Sequence, residues 1–346
     1  MKTIDGGRGG GQLIRLAVAM SSLSGTPIRI ENVRGARSEP GMRGQHVAAV
    51  EAVASISNAR TSGVSIGSSN ITFDPERIRG GETRVSVGTA GSVSLVFDAV
   101  LPVARESQKP IRVRATGGTD VRWSPPIDFY RFVKLPLLRR IGVRASLERL
   151  SRGFYPEGGG MAEILIHPGD LSRIDFTRRG SLERVRVRSI ATDDLADRDV
   201  ASRQIQGVRA RLDDLIDVRV RETVGRVRSP ATGTVVLVIA EYEHAIAGFS
   251  ALGEPGVPAE IVGERAADRF LAFQDAAGAI EAHLADQLLP FLVFGGGRIT
   301  TTRRTDHIES AAWLLEQFGA EIVIDTDGKS VVIESGDAMR MPTGSE

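Results

Sequence analysis

Gly9-Gly10-Gly11-Gln12-Leu13-Ile14-Arg15-Leu16-Ala17-Val18-Ala19-Met20-Ser21-Ser22-Leu23-Ser24-Gly25 is the stretch whose reading decides the fold. From Gln12 to Leu23 apolar residues recur at helical spacing, and Gly25 is a natural C-cap. The segment 27–33 then alternates Ile28, Ile30 and Val33 with polar neighbours over most of its length, as a half-buried strand does. The alternation continues outward. Residues 46–56 form an Ala-rich helix, 91–104 a nearly all-apolar and therefore buried helix, 111–115 a strand, 128–141 a helix kinked at Pro136, and 161–166 a strand. Beyond these come a strand at 183–190, a helix at 200–216, strands at 217–224 and 234–240, and one long helix over 259–291. The expected architecture is α+β: a large repeat domain of 1–180 and 277–346, interrupted by a smaller inserted α/β domain at 181–276. Three glycine triplets, 9–11, 158–160 and 295–297, hint at a repeated βα unit.

Composition narrows the class. The 346 residues carry 41% hydrophobic and 25% charged side chains, the balance of an ordinary globular chain. No apolar run approaches the roughly 18 residues of a membrane span, and Met1 to Gly7 has no apolar core of a secretory signal. With no cysteine there is no disulfide framework, thiolate metal site or thiol nucleophile, and a cytoplasmic location is expected. Net charge is +1, yet 40 of the 44 basic residues are arginine, whose fork matches phosphate oxygens. Residues 1–43 carry seven positive charges against three negative, beside the first glycine cluster.

Several segments suit anionic ligands. Gly9-Gly10-Gly11-Gln12 lets backbone approach a ligand and offers a helix N-terminus to phosphate, although a tight turn fits it equally. It lacks the Gly-Lys-Ser/Thr of a Walker loop. The turn-rich loop of Arg34, Arg37 and Arg43, followed by Gln45 and His46, suits a triphosphate or RNA phosphates, or is simply solvated. Gly88-Thr89-Ala90-Gly91-Ser92 serves either an anion or close packing. In Arg303-Arg304-Thr305-Asp306-His307-Ile308-Glu309, Asp306 and Glu309 have capping-box spacing, making His307 the first helical residue. A positive helix end disfavours imidazolium, so His307 is expected neutral and nucleophilic near pH 7, or else is an exposed histidine at a helix start. His283 and Asp286 lie one turn apart, where the acid orients a histidine, binds a metal or forms a plain surface pair. None of the five histidines makes a zinc-hydrolase pair, and the opening has the wrong spacing for the K-x-D-G signature of lysine-adenylating ligases.

Taken together these segments resemble the RNA 3'-terminal phosphate cyclase family from about residue 3 to 337. The matching stretches are IDGG and GGGQLIR (4–15), RGARSEPGMRGQH (34–46), VGTAGSVSL (87–95), GGTD (117–120), GFYPEGGG (153–160), SALGEPGVPAE (250–260), HLADQL (283–288) and TDH (305–307). The resemblance implies three βαβαββ-like repeats resembling the C-terminal domain of translation initiation factor three, with an inserted domain. It implies ATP and a divalent metal, magnesium or manganese, as cofactors, a covalent histidine-AMP, and conversion of an RNA 3'-phosphate to a 2',3'-cyclic phosphate through an RNA-adenylate. His307 matches the nucleophile. Gln12, Arg37, Gln45, His283, Asp286 and Gln287 match nucleotide-site positions, Phe249 is a candidate aromatic face for adenine, and Arg15, Arg34 and Arg43 are candidate RNA-phosphate contacts. The implied metal ligands are open between Asp5 and Asp286, and the oligomeric state is open, a homodimer included. Arg8 falls where the family carries a glutamate, and Glu39 where a basic residue is usual. Two other readings stand beside this one: a cyclase-like RNA-processing protein without catalysis, and an enolpyruvyl transferase of similar repeats, disfavoured by the scarcity of lysine.

Overall fold

The computed structural model describes residues 1–88, 90–213 and 217–339, so Thr89 and the expected helix end at Ile216 lie outside the described residues. The first unit runs β1 (Lys2–Asp5), α1 (Gly11–Ser24), β2 (Ile28–Glu31), α2 (Gly44–Ser57), β3 (Arg60–Ser62) and β4 (Ile71–Asp74). The second runs β5 (Gly81–Ser86), α3 (Val93–Val100), β6 (Ile111–Gly117), α4 (Ile127–Phe129), α5 (Leu135–Arg139), β7 (Arg144–Ser151) and β8 (Gly160–His167). After β9 (Ile174–Phe176) the chain leaves to form β10 (Leu182–Thr192), α6 (Val200–Leu212), β11 (Val220–Val227), β12 (Thr234–Tyr242), β13 (Ile246–Leu252) and α7 (Ala259–Asp275). It then returns with α8 (Ala282–Gly295), β14 (Gly297–Thr301), α9 (Asp306–Gln317), β15 (Ile322–Asp327) and β16 (Ser330–Ser335).

The strand orders β1-β2-β4-β3, β5-β6-β8-β7 and β9-β14-β16-β15 are one topology used three times. In each, the first two strands are parallel and the rest antiparallel. A parallel pair needs a crossover, which α1, α3 and α8 supply. The third crossover is the one that carries β10–β13 with it. Alternation of the inward side chains, as in Ile28 and Ile30 or Val113 and Ala115, feeds one continuous core. A second core gathers Val185, Val187, Val236, Val238 and Phe249 beneath Val208, Val262 and Phe270 of α6 and α7.

Three expectations need correction. The long helix of 259–291 is two helices, because Gly278 adopts φ +105° in the connection and the chain there bonds to Thr300 instead of continuing. The glycine triplets are not equivalent places in the repeats. Residues 9–11 open α1, 158–160 lead into β8, and 295–297 link α8 to β14. The counterpart of the first triplet in the second unit is the segment before α3. Finally, a π-helical turn, Tyr130–Lys134, precedes Pro136, which sits at the start of α5 where its missing N–H does no harm.

Candidate active site

The N-terminal ends of α1 and α9 meet, and two side chains bridge them. Gln12 Nε2 donates to the backbone oxygen of His307 at 3.2 Å, and Gln12 Oε1 lies in hydrogen-bond contact with His307 Nδ1. Of the two Gln12 amide atoms only the nitrogen can donate to a carbonyl oxygen, which fixes the orientation of the Gln12 amide. Its oxygen in turn requires Nδ1 to carry the proton. The lone pair of His307 is therefore on Nε2. The ring is half-buried, with 43% of its side chain exposed. Burial, then the positive charges of Arg15 and Arg37, hold His307 below the ordinary imidazole value.

The cap at this helix differs by one residue from expectation. Thr305 is the N-cap, its Oγ1 accepting from Ile308 N at 3.2 Å, so His307 is the second helical residue and Asp306 the first. A β-branched hydroxyl outcompetes the acid here because Thr305 already has the extended backbone of a cap (φ −127°, ψ 156°).

Asp286 approaches from α8, its Oδ2 at 3.9 Å from His307 Nδ1, too long for a hydrogen bond. Gln12, not Asp286, orients the ring. Burial raises the Asp286 carboxyl to about 7, and its Oδ1 has no partner. Below it lies a buried polar group that sequence reasoning missed: Lys134 reaches Asp98, as does the Tyr130 hydroxyl, and donates to Gln287 Oε1 at 2.8 Å. Lys134 is only 1% exposed, and being one of four lysines in the chain was its sole signal. Arg15 is half-buried, with the charges of Asp98 and Asp286 near it. His283 is exposed and paired with Glu281, whose hydrogen bond raises it above the ordinary histidine value.

On the opposite wall a Cβ built at Gly10 would stand 3.1 Å from Arg37 Nη2, and one at Gly11 only 1.9 Å from His46 Nε2. Gly11 is thus required by the His46 ring packed against the helix start, whereas the flexible Arg37 side chain could yield at Gly10. His46 Nδ1 accepts from Arg43 N at 2.9 Å, and burial, followed by the charges of Arg15, Arg34 and Arg43, lowers it to about 3. Gln45 Oε1 accepts from Ser92 N at 3.2 Å and ties α2 to the segment before α3. Two candidates are engaged in shaping their own loop. Arg34 donates to the oxygens of Glu39 and Gly41 at 2.9 Å, and Arg43 pairs with Glu39. Phe249 is misplaced by the sequence reading: it is 5% exposed, in the second core against Phe270 and Phe273, because its strand turns that face to α7. Arg8 lies with its guanidinium 4.8 Å from the Trp313 ring centre.

As to metal, Asp5 Oδ1 is occupied by Gly7 N at 3.0 Å and Asn32 Nδ2 at 3.3 Å. Among the described residues no group of three or more histidines and carboxylates is gathered that could hold an ion. The unpartnered Oδ1 of Asp286 is the one buried carboxylate oxygen of this site that fits a cation, which would need phosphate oxygens and water to complete its shell.

Three βαβαββ units, with the helix starts of the first and third bringing Gln12 and His307 together beside a glycine turn, define an α+β class of repeated modules. The family model described as "RTC: RNA 3'-terminal phosphate cyclase" matches residues 6–324. The chain is 43% identical to "RNA 3'-terminal phosphate cyclase" of Halobacterium salinarum (strain ATCC 29341 / DSM 671 / R1) over 347 residues, 97% of this chain and all of the relative. It is 38% identical to the protein of that name from Pyrococcus abyssi, over 95% of this chain and 96% of the relative. The one from Pseudomonas fluorescens is likewise 38% identical, over 91% of both chains. The chain belongs to the RNA 3'-terminal phosphate cyclase family. A solved structure of the enolpyruvyl transferase NikO from Streptomyces tendae overlaps with a TM-score of 0.37 at 11% identity, covering 97% of this chain and 48% of that one, too loose a likeness to argue from. No helix among the described residues is long and apolar enough to cross a membrane.

Proposed function

We propose that this protein uses ATP to convert the 3'-terminal phosphate of an RNA into a 2',3'-cyclic phosphate by way of an AMP held on His307. The observation that carries the proposal is the Gln12–His307 contact, in which the amide oxygen favours the tautomer with its proton on Nδ1 and its lone pair on Nε2. Nε2 attacks the α-phosphorus of ATP, the bond to pyrophosphate breaks, and a phosphoramidate forms. An oxygen of the RNA 3'-phosphate then takes the adenylyl group, releasing the imidazole. The neighbouring 2'-hydroxyl attacks the activated phosphorus, gives up its proton, and expels AMP. Activation matters because a phosphate monoester has no good leaving group, whereas a phosphoanhydride expels AMP readily.

The chain's own residues supply position and charge. The free N–H groups at the start of α1, with the Arg37 guanidinium beside Gly10, suit phosphate oxygens. Gln45, Gln287, Arg34 and Arg43 are proposed to contact the nucleotide or RNA phosphates, with the charge of Arg15 felt at His307 and Lys134 bonded to Gln287. A divalent cation on the triphosphate would neutralise charge there, with Asp286 as its protein ligand. The unit at 181–276 is proposed as an insertion carried by the third repeat, and the protein is proposed to act in the cytoplasm.

The test is incubation with ATP labelled at the α-phosphate, magnesium or manganese, and no RNA. Acid-labile label on the wild-type protein, absent from His307→Ala, is expected. An unlabelled wild type that still binds RNA would instead support the non-catalytic cyclase-like reading.

A further inference from the structure

One cluster of charge is left unused by that reaction. Val185 and Val187 of β10 point into the second core, so Arg184, Arg186 and Arg188 occupy the other face of the inserted sheet. The parallel register sets Arg221 of β11 directly beside Arg186. Like charges at paired positions repel unless a counter-charge joins them. Few do so here. Glu241 serves both Arg184, at 3.5 Å, and Arg186, at 2.6 Å, while Asp128 serves Arg188 at 3.6 Å and is also held by Arg152 at 2.7 Å.

The same arginines crowd one aromatic ring. The guanidinium carbons of Arg131, Arg186 and Arg188 lie 5.4, 5.5 and 4.5 Å from the centre of Phe132. Stacking on a ring holds a guanidinium flat and leaves its N–H edge for an acceptor. The Arg186 and Arg188 side chains keep 28% and 23% of their surface exposed, while their Nε atoms are buried. Arg131 and Arg221 are exposed and, among the described residues, belong to no ion pair. Four arginines gathered on one face, two of them exposed and without an ion-pair partner among the described residues, match a run of phosphodiesters better than a single small anion.

Position completes the argument. Arg131 and Phe132 stand on the π-helical turn whose last residue, Lys134, bonds Gln287 beside Asp286. The arginine face therefore begins on the far side of one turn of chain from the site that would hold the RNA end. We propose that Arg131, Arg186, Arg188 and Arg221 form a track for the sugar-phosphate backbone of the RNA upstream of its 3'-terminus. The proposal rests on the reading of this protein as acting on RNA ends, and extends it to where the rest of the strand lies.

The test uses the full chain and the double variant R131Q/R221Q, two exposed positions whose change leaves the core untouched. Binding of a 3'-phosphorylated single-stranded RNA of about 12 nucleotides is measured against salt, beside a 3'-phosphorylated dinucleotide too short to reach the track. Each lost phosphate contact should flatten the slope of log K on log salt by about 0.7, so the double variant should lose about 1.4 and bind the oligomer roughly tenfold more weakly. Dinucleotide binding and labelling by ATP should be unchanged. A DNA oligomer of the same length should show the same loss, since the track would touch phosphate and not the 2'-hydroxyl. An unchanged slope and affinity for the oligomer would overturn the proposal, as would an equal loss for the dinucleotide. Were the wild type to take no label while the slope still changed, the adenylylation reading would fall and the track would stand.

Discussion

Gln12 and His307, 295 positions apart in the chain, hold each other twice: the amide nitrogen of Gln12 bonds the backbone oxygen of His307, and its oxygen meets Nδ1 of the ring. One side chain thus sets both the orientation and the tautomer of the proposed nucleophile. Gln12→Ala leaves the histidine in place but free to rotate and to place its proton on Nε2. Losing one such partner costs on the order of 1–3 kcal/mol, so self-adenylylation should slow about tenfold to a hundredfold. Rapid-quench measurement of label on the protein reads this directly. Gln12→Glu keeps an acceptor for Nδ1–H but adds a negative charge that favours imidazolium, so its rate should fall off at a higher pH than that of the wild type.

The acid limb of that rate has a definite sign. Burial and the charges of Arg15 and Arg37 lower His307, so the ring stays neutral to a pH below the ordinary histidine value. Labelling that depends on the His307 lone pair should persist as pH drops past about 6.5, the unperturbed histidine value. Asp286 acts oppositely. Raised to about 7 by burial, it gains its negative charge only as pH climbs through neutrality. If that carboxylate assists the reaction, the wild type should show a second rise near neutral pH that Asp286→Asn lacks. A pH–rate profile of both proteins separates the two groups.

Gly11 tests the packing of the site's opposite wall. A Cβ there would stand 1.9 Å from His46 Nε2, and His46 is 2% exposed with its Nδ1 already bonded to Arg43 N. The ring has nowhere to retreat. Gly11→Ala should destabilise the protein by about 1–3 kcal/mol in urea unfolding, the usual effect of overpacking. His46 carries its own pH signature. Its folded value is depressed to about 3, so the stability it contributes is complete above the unfolded value near 6.5 and is lost as pH falls towards 3. His46→Gln, which does not titrate, should flatten that part of the stability–pH curve.

What could be read from the sequence was the part that local rules decide. The helix from Gln12 ends at Gly25, which takes φ +63° as a C-cap must. Val93–Val100 is buried at every residue but Asp98, as its nearly complete apolarity required. The break between α7 and α8 was hidden because apolar residues continue across it, and only Gly278 marks the turn. The threefold repeat was suspected from glycine triplets that prove inequivalent, since strand order, not glycine, is what repeats. At the site, His307 and Gln12 were both legible as candidates, but their bond spans almost the whole chain and no spacing rule reaches that far. Phe249 shows the reverse failure. An aromatic beside a motif invites a ligand, yet strand alternation assigned it to the core beside Phe270.

The last prediction concerns the buried charges that fasten the GGTD segment. Arg152, 7% exposed, donates to both carboxylate oxygens of Asp120 at 2.9 Å and pairs with Asp128 at 2.7 Å, and both acids are almost fully buried. Burial alone pushes the Asp120 carboxyl up, and the arginine is what offsets it. Arg152→Ala strands two carboxylates in a dry interior, which should reduce stability by about 3–5 kcal/mol at neutral pH. Stranded Asp120 escapes by binding a proton, which its raised folded value favours, so the deficit should shrink as pH falls below neutrality. A deficit caused by lost packing alone would not move with pH. Urea unfolding at neutral and mildly acid pH therefore tests the electrostatic origin, and Arg152→Ala combined with Asp120→Asn should recover part of the loss at neutral pH by removing one of the unpaired charges.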